Sequence, residues 1–244
     1  MLVSSENEIL LPSEPLTAEQ KLWLISLSSF LSLPNSYSLD SLENKSEKYT
    51  PEAIIAGNSK VLKNSYGIND KNEFIDTLDI FCGTARSQEF MYLMKEWAKP
   101  DLYAKRLFGN PHKYKGTEVE IASVWAEKYR TPLSHCGIQA FDIGRYAFLC
   151  RCAYTVSLIT EDEAWAFLLR IGKIAQECFT SWYEFATSYT VGRCIWLDIN
   201  IDGIESTENT FDVLEKIQTE SEELEKILAD HKHPWSILGW EISF

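Results

Sequence analysis

One local signal recurs along most of this chain: a residue able to cap a helix, an acid or amide three positions on, then apolar residues at spacings of three and four. Thr17 with Gln20 stands before KLWLISLSSFLSL, Thr117 with Glu120 before IASVWAEKY, and Thr160 with Glu163 before AWAFLLRIGKIA. In such a pair the hydroxyl accepts from the third helical N–H while the acid or amide reaches back to the cap's own N–H. Thr50-Pro51-Glu52 offers a cap, a proline at the first helical position and an acid in the first turn. Asn69 is expected to cap the segment holding Phe74, Leu78 and Phe81, and Thr180 or Ser181 to begin WYEFATSYTVGRCIW. FDVLEKIQTESEELEKILAD reads as a charged amphipathic helix carrying Leu214, Ile217, Leu224 and Leu228.

A period of three to four cannot serve a strand, whose faces alternate every residue. The expected fold is therefore mostly α, a compact multi-helix domain of about eight to ten helices. WLDINIDGI at 196–204 alternates and is the one strand candidate, so at most a minor β element is expected there. Residues 1–16 read as an N-terminal extension and 34–49, rich in Ser and Asn, as a loop. Residues 17–244 are expected to form a single helical domain, with a weak seam near 110–116 where GNPHKYKG breaks the pattern. The tail WSILGWEISF is apolar enough to dock on that domain.

The chain has 244 residues, 45% of them hydrophobic, which is enough for a sizeable core. Its 36 acidic residues exceed its 23 basic ones, for a formal net charge of -13. That charge repels phosphate backbones and anionic lipid, so neither nucleic acid nor a membrane surface is an expected partner. A basic protein or a cationic ligand suits it better, although such charge also serves solubility alone. No basic stretch precedes a hydrophobic one at the N-terminus, and LWLISLSSFLSL at 22–33 is shorter than a membrane span and carries four serines. A cytoplasmic location is expected.

Six cysteines sit mostly within apolar, helix-like segments, and none is in a C-x-x-C arrangement. They read as reduced, buried small hydrophobes. The four histidines show no metal-binding spacing, so neither a metal nor any other cofactor is expected. There is also no G-x-S-x-G, P-loop or G-x-G-x-x-G, which points away from an enzyme. His135 and Asp142, seven apart, would share a helix face and could in principle form an acid–base couple, though a histidine near a helix start is more often a cap or core residue.

Two constellations stand out. AFDIGRYAFLCR at 140–151 sets Asp142 and Arg145 three apart in an apolar run, neighbours on one helix face. Arg151 lies roughly 240° further round than Arg145 and belongs to another face. Charges in such a setting are costly unless paired or used, so the pair reads as a register-fixing strut or as part of a site. In the second constellation Trp182, Phe185, Tyr189, Arg193 and Trp196 fall within a band of about 80° on one helix. Such a stripe usually means core; with an arginine it also suits a ligand shelf. Arg193 would then need a carboxylate, for which Asp142 and Glu163 are the natural candidates.

The order of these motifs resembles a bacterial family. GIQAFDIGRYAFLCR, then ITEDEAWAFLLRIGKIAQ, then SWYEFATSYTVGRCIW, preceded by SKVLKNSYGINDKNEFIDTLDIF, is similar to domain of unknown function 1266, the YbeU/YbeR-like proteins. The likeness spans about residues 59–196, and the family's signature positions fall on Asp142, Arg145, Arg151, Trp165, Trp182, Gly192, Arg193 and Trp196. Where the family commonly has a glycine before the I-[ST] helix start, this chain has Ser157-Leu158. The resemblance implies a cytosolic accessory or interaction protein and brings no activity with it.

Three functions are therefore in play. The first is a non-enzymatic protein-interaction module, in concrete form an acidic immunity or antidote protein that neutralises a basic toxin or effector. The second is a binder of a small anion or nucleotide, or an enzyme, with its site between helices 137–152 and 181–196. The third is a purely structural helical scaffold whose working surface lies elsewhere.

Overall fold

The structure, a computed structural model, describes residues 14–83, 85–98, 120–129, 133, 135–197, 222, 225–227 and 229–244. Its helices run in the order α1 (Ala18–Ser26), α2 (Ser29–Ser32), α3 (Pro51–Lys60), a π-helical turn (Val61–Ser65), α4 (Lys71–Gly83), α5 (Ala85–Ala98), α6 (Glu120–Tyr129), α7 (Gln139–Thr155), α8 (Glu161–Cys178), α9 (Trp182–Trp196) and α10 (Pro234–Ile237). No strand occurs among the described residues, so the mostly α expectation holds for them. Trp196 ends a helix, and 198–204 of the strand candidate lie outside the described residues, as do the 110–116 seam, Thr117 and most of the 211–230 helix.

The caps are built largely as the sequence prescribes. Thr17 and Gln20 close a complete capping box on α1, and Thr50 accepts from Ala53 N–H ahead of Pro51. Thr160 and Glu163 exchange the same pair of bonds at α8, and Ser181, not Thr180, caps α9. At α4 the expectation is off by one. Asp70 caps it, accepting from Asn72 and Glu73 N–H at 2.8 and 3.0 Å, because its short carboxylate sits where two helical N–H groups converge. Asn69 instead receives Glu73, whose carboxylate accepts its backbone N–H.

Helix ends are equally local. Ile68 N–H bonds back to Leu62 O across Gly67, which holds φ at +71°, and both flanking apolar residues are buried. At the end of α7 the same closure, Leu158 N–H to Ala153 O, is made with Ser157 at φ +59°. Ser157 stands in the turn for which the resemblance implies a glycine, a residue that adopts this left-handed conformation without steric cost.

The Cα trace divides into two compact units. The first takes residues 1–79, 144–174 and 242–244. In it α1 breaks into α2 where Ser26, Ser28 and Ser29 turn their hydroxyls onto carbonyls three residues back, which competes with helical bonding. Trp23, Leu24, Phe74, Leu78, Ala147, Leu149 and Leu168 are buried to zero exposure around these elements. The second unit takes 80–143 and 175–241. One of its cores joins Phe90, Leu93 and Met94 of α5, Trp125 and Ala126 of α6, and Val191 and Cys194 of α9, with Ile138.

Candidate functional site

Three of the signature residues, Arg151, Gly192 and Trp182, each anchor a local structure of their own unit. The first centres on Arg151, a fully buried guanidinium in the first unit. Nε donates to Leu42 O at 3.3 Å, one terminal nitrogen to Ser28 Oγ (3.2 Å) and Ser32 Oγ (2.6 Å), and the other to Ser38 O (2.5 Å) and Ser41 O (3.1 Å). Arginine has five N–H donors, and all are engaged by neutral oxygens of residues 28–42. Burial lowers its pKa to about 10, with Cys152, Asp40 and Tyr37 pulling upward, so the cation persists at neutral pH. Beside it burial pushes the Cys152 thiol up to about 12, which makes it inert as a nucleophile.

The same loop is tied down further along. Asn44 N–H donates to Thr155 Oγ1 at 2.9 Å, and its side-chain amide donates to Asn58 Oδ1 (2.9 Å) and to Cys152 Sγ (3.6 Å). The segment read from its composition as a Ser/Asn-rich loop is thus irregular but internally bonded, folded onto one turn of α7. The apolar run at 22–33 carried the only sequence hint: four serines where a simple core helix would have none.

The second local structure is the contact of residues 137–141 with α9, in the second unit. Gly192 lies against Phe141: a Cβ there would stand 2.6 Å from Phe141 Cβ and 3.3 Å from Ile138 Cβ. Ser188 donates to Gly137 O at 2.7 Å and accepts from Ala140 N–H at 3.2 Å. Tyr189, buried to zero exposure, meets Phe141 edge-on at 5.4 Å, and Trp196 lies 6.3 Å from the same ring. Packing and paired hydrogen bonds therefore join residues 137–141 to α9.

Asp142 is buried at 3% exposure, whereas Arg145 and Arg193 are half-buried, and each of the three interacts with other groups of the protein. Glu163, one candidate partner for Arg193, is engaged elsewhere: it closes the α8 capping box and pairs with Lys71, and those bonds hold its carboxyl below the ordinary carboxylate range. His135 sits exposed in a turn before α7, so it does not share a helix face with buried Asp142. The aromatic stripe is core over Trp182, Phe185 and Tyr189, but it emerges at its last turn, where Trp196 is 51% exposed.

The third local structure is the aromatic cluster around Trp182. This ring stacks on Trp235 at 5.2 Å, meets Trp240 edge-on at 4.7 Å, and donates its indole N–H to Leu238 O at 3.0 Å. Trp240 donates in turn to Phe179 O at 2.7 Å, so the apolar tail docks through indole hydrogen bonds as well as area. His233 caps α10 by accepting from Trp235 N–H at Nδ1 (3.1 Å), which leaves its proton on Nε2, a buried atom with no hydrogen-bond partner among the described residues. Burial lowers the His233 pKa to about 4. Trp165 lies on α8 in the first unit, its indole N–H on Glu161 at 3.0 Å and the Lys21 ammonium 4.9 Å above its ring.

All six cysteines are thiols, with Cys82 and Cys136 half-buried and the others buried. Among the described residues no three His, Cys, Asp or Glu side chains cluster as a metal ion requires, and no helix is long and apolar enough to cross a membrane.

Comparison with known proteins gives a relative in Escherichia coli (strain K12), the "Uncharacterized protein YbeU", 21% identical over 185 residues that cover 74% of this chain and 75% of that protein. No solved structure matches the chain. The family model described as "Protein of unknown function (DUF1266)" matches residues 61–240, a span that includes Arg151 and both the Phe141 and Trp182 contacts, and the chain belongs to that family.

Proposed function

We propose that this chain is a non-enzymatic, cytosolic protein-interaction module that binds a basic protein partner. An immunity or antidote protein, covering a basic toxin or effector, is the concrete form of that proposal. The observation that carries it is the charge: 36 acidic residues against 23 basic ones. Glu19, Glu52, Glu73, Asp76, Glu161 and Asp162 are all exposed, so their charge faces solvent and any approaching partner. The inward side of the molecule supports the same reading. Arg151, the signature group best suited to an anion, spends its donors on the protein itself.

The scaffold reading has one observation in its favour. Arg151, Trp182, Tyr189 and Gly192 all serve packing, and packing alone accounts for their positions. Affinity capture from the native host, eluted with a salt gradient and analysed by mass spectrometry, separates the two. The interaction module predicts a stoichiometric partner of high isoelectric point, released as ionic strength rises. Recovery of no stoichiometric partner, or of an acidic one indifferent to salt, sinks the proposal.

A further inference from the structure

Residues 242–244 belong with the first unit, and their contacts with α1 include two of different kinds. Gln20 Nε2 donates to Ser243 O at 2.5 Å, while the Phe244 ring meets Trp23 edge-on at 5.5 Å. Trp23 is buried to zero exposure, yet Ile242 and Phe244 are only half-buried and Ser243 is exposed. The receiving surface is therefore better packed than the segment that rests on it. It is backed by α8, where a Cβ on Gly172 would stand 2.4 Å from Leu24 Cδ2 and in ordinary contact with Trp23 at 3.4 Å. Gln20 works at both ends: its Oε1 accepts Thr17 N–H in the capping box, and its amide nitrogen holds the tail. A carbonyl is recognised by the amide and an aromatic ring by the indole, which reads a short extended peptide in which a ring follows the accepted carbonyl.

We propose that the α1 surface formed by Gln20 and Trp23 is a peptide-recognition seat, which this chain fills in cis with its own Ile242-Ser243-Phe244. With Ser243 exposed and Ile242 and Phe244 only half-buried, the segment is of the kind that opens locally without unfolding its support. Tethering compensates, since an attached segment competes at an effective concentration in the millimolar range. The seat is thus closed to free peptides of the same pattern until the tail is weakened.

The test titrates full-length proteins, each checked for unchanged helical circular dichroism, into fluorescein-labelled Glu-Ile-Ser-Phe and follows anisotropy. Phe244→Ala is expected to bind saturably, wild type at least tenfold more weakly, and Glu-Ile-Ser-Ala to bind neither protein. Adding Gln20→Glu to Phe244→Ala keeps an oxygen for the Thr17 cap but removes the amide donor, and peptide affinity is expected to fall at least tenfold. Phe244→Leu serves in place of Phe244→Ala if the latter is poorly folded. Three results overturn the proposal: no binding by the folded Phe244 variant, equal binding by wild type, or no effect of Gln20→Glu. A concentration-dependent wild-type dimer abolished by Phe244→Ala overturns the cis assignment and gives the seat to a second copy.

Discussion

Two glycine-to-alanine substitutions in helices should change stability in opposite directions. At Gly192 the new Cβ would stand 2.6 Å from Phe141 Cβ, 3.1 Å from Phe141 Cγ and 3.3 Å from Ile138 Cβ. Carbon atoms pack at about 3.5–4.0 Å, so α9 or residues 138–141 must retreat by roughly 1 Å. The atoms in the way lie at or next to the backbone and cannot swing aside. Overpacking of this kind costs about 1–3 kcal/mol, against which alanine's better helix propensity returns about 1 kcal/mol. A clash this close sits at the upper end, so the net loss is about 2 kcal/mol.

Gly57 in α3 meets only the Tyr37 hydroxyl, at 3.6 Å, an ordinary contact. There the propensity gain stands alone and Gly57→Ala should stabilise by about 0.5–1 kcal/mol. Thermal melts by circular dichroism should then show Gly192→Ala lowered by roughly 4–8 °C and Gly57→Ala raised by roughly 1–4 °C. If both substitutions stabilise, or Gly192→Ala is neutral, the close approach of Phe141 to α9 is wrong.

Other perturbations follow from the same geometry. Ser157→Gly relieves a left-handed serine at the end of α7 and should raise stability by about 0.5–1 kcal/mol in urea unfolding, whereas Ser157→Val should lower it. His233 is held neutral with a pKa of about 4, below the ordinary histidine value of 6.5. The unfolded chain therefore binds the proton first: this contribution is complete above pH 6.5 and is lost as pH falls from there towards 4. Over that window it amounts to at most about 3 kcal/mol, and His233→Asn, which keeps a capping acceptor, should flatten the corresponding slope in unfolding free energy against pH.

What was legible in the sequence is what depends on neighbours along the chain. The caps at Thr17, Thr50, Thr160 and Ser181 use groups three residues apart, and pattern alone finds them. The slip from Asn69 to Asp70 shows the grain of that method: both side chains can cap, and only the backbone path decides which carboxylate or amide oxygen meets the first N–H groups. Ser157-Leu158, where the resemblance implies a glycine, forms a turn in which the serine holds a positive φ.

The knot around Arg151 was not legible, for a physical reason. Its partners lie more than a hundred residues away, and three of its five acceptors are main-chain carbonyls, which leave no trace in a side-chain pattern. Only its hydroxyl acceptors, Ser28 and Ser32, were visible as an anomaly in an apolar run. Trp196 illustrates the converse limit. Helical spacing puts it on one stripe with Trp182 and Tyr189, but spacing carries no information about where the neighbouring element ends, and at that point the stripe emerges into solvent.

The central claim is that the buried signature arginine is a structural tie that folds residues 28–45 onto α7. Its most direct test is amide hydrogen exchange in Arg151→Lys, which keeps the charge but has only three donors for five acceptors. Losing at least two charge-assisted bonds is worth about 3 kcal/mol, so the amides of Tyr37, Ser38 and Asn44, which bond to Ser32 O, Lys45 O and Thr155 Oγ1, should exchange roughly 100-fold faster. Those of Leu93 in α5 and Trp125 in α6 should keep their protection. Unchanged exchange at Tyr37, Ser38 and Asn44 would contradict the account.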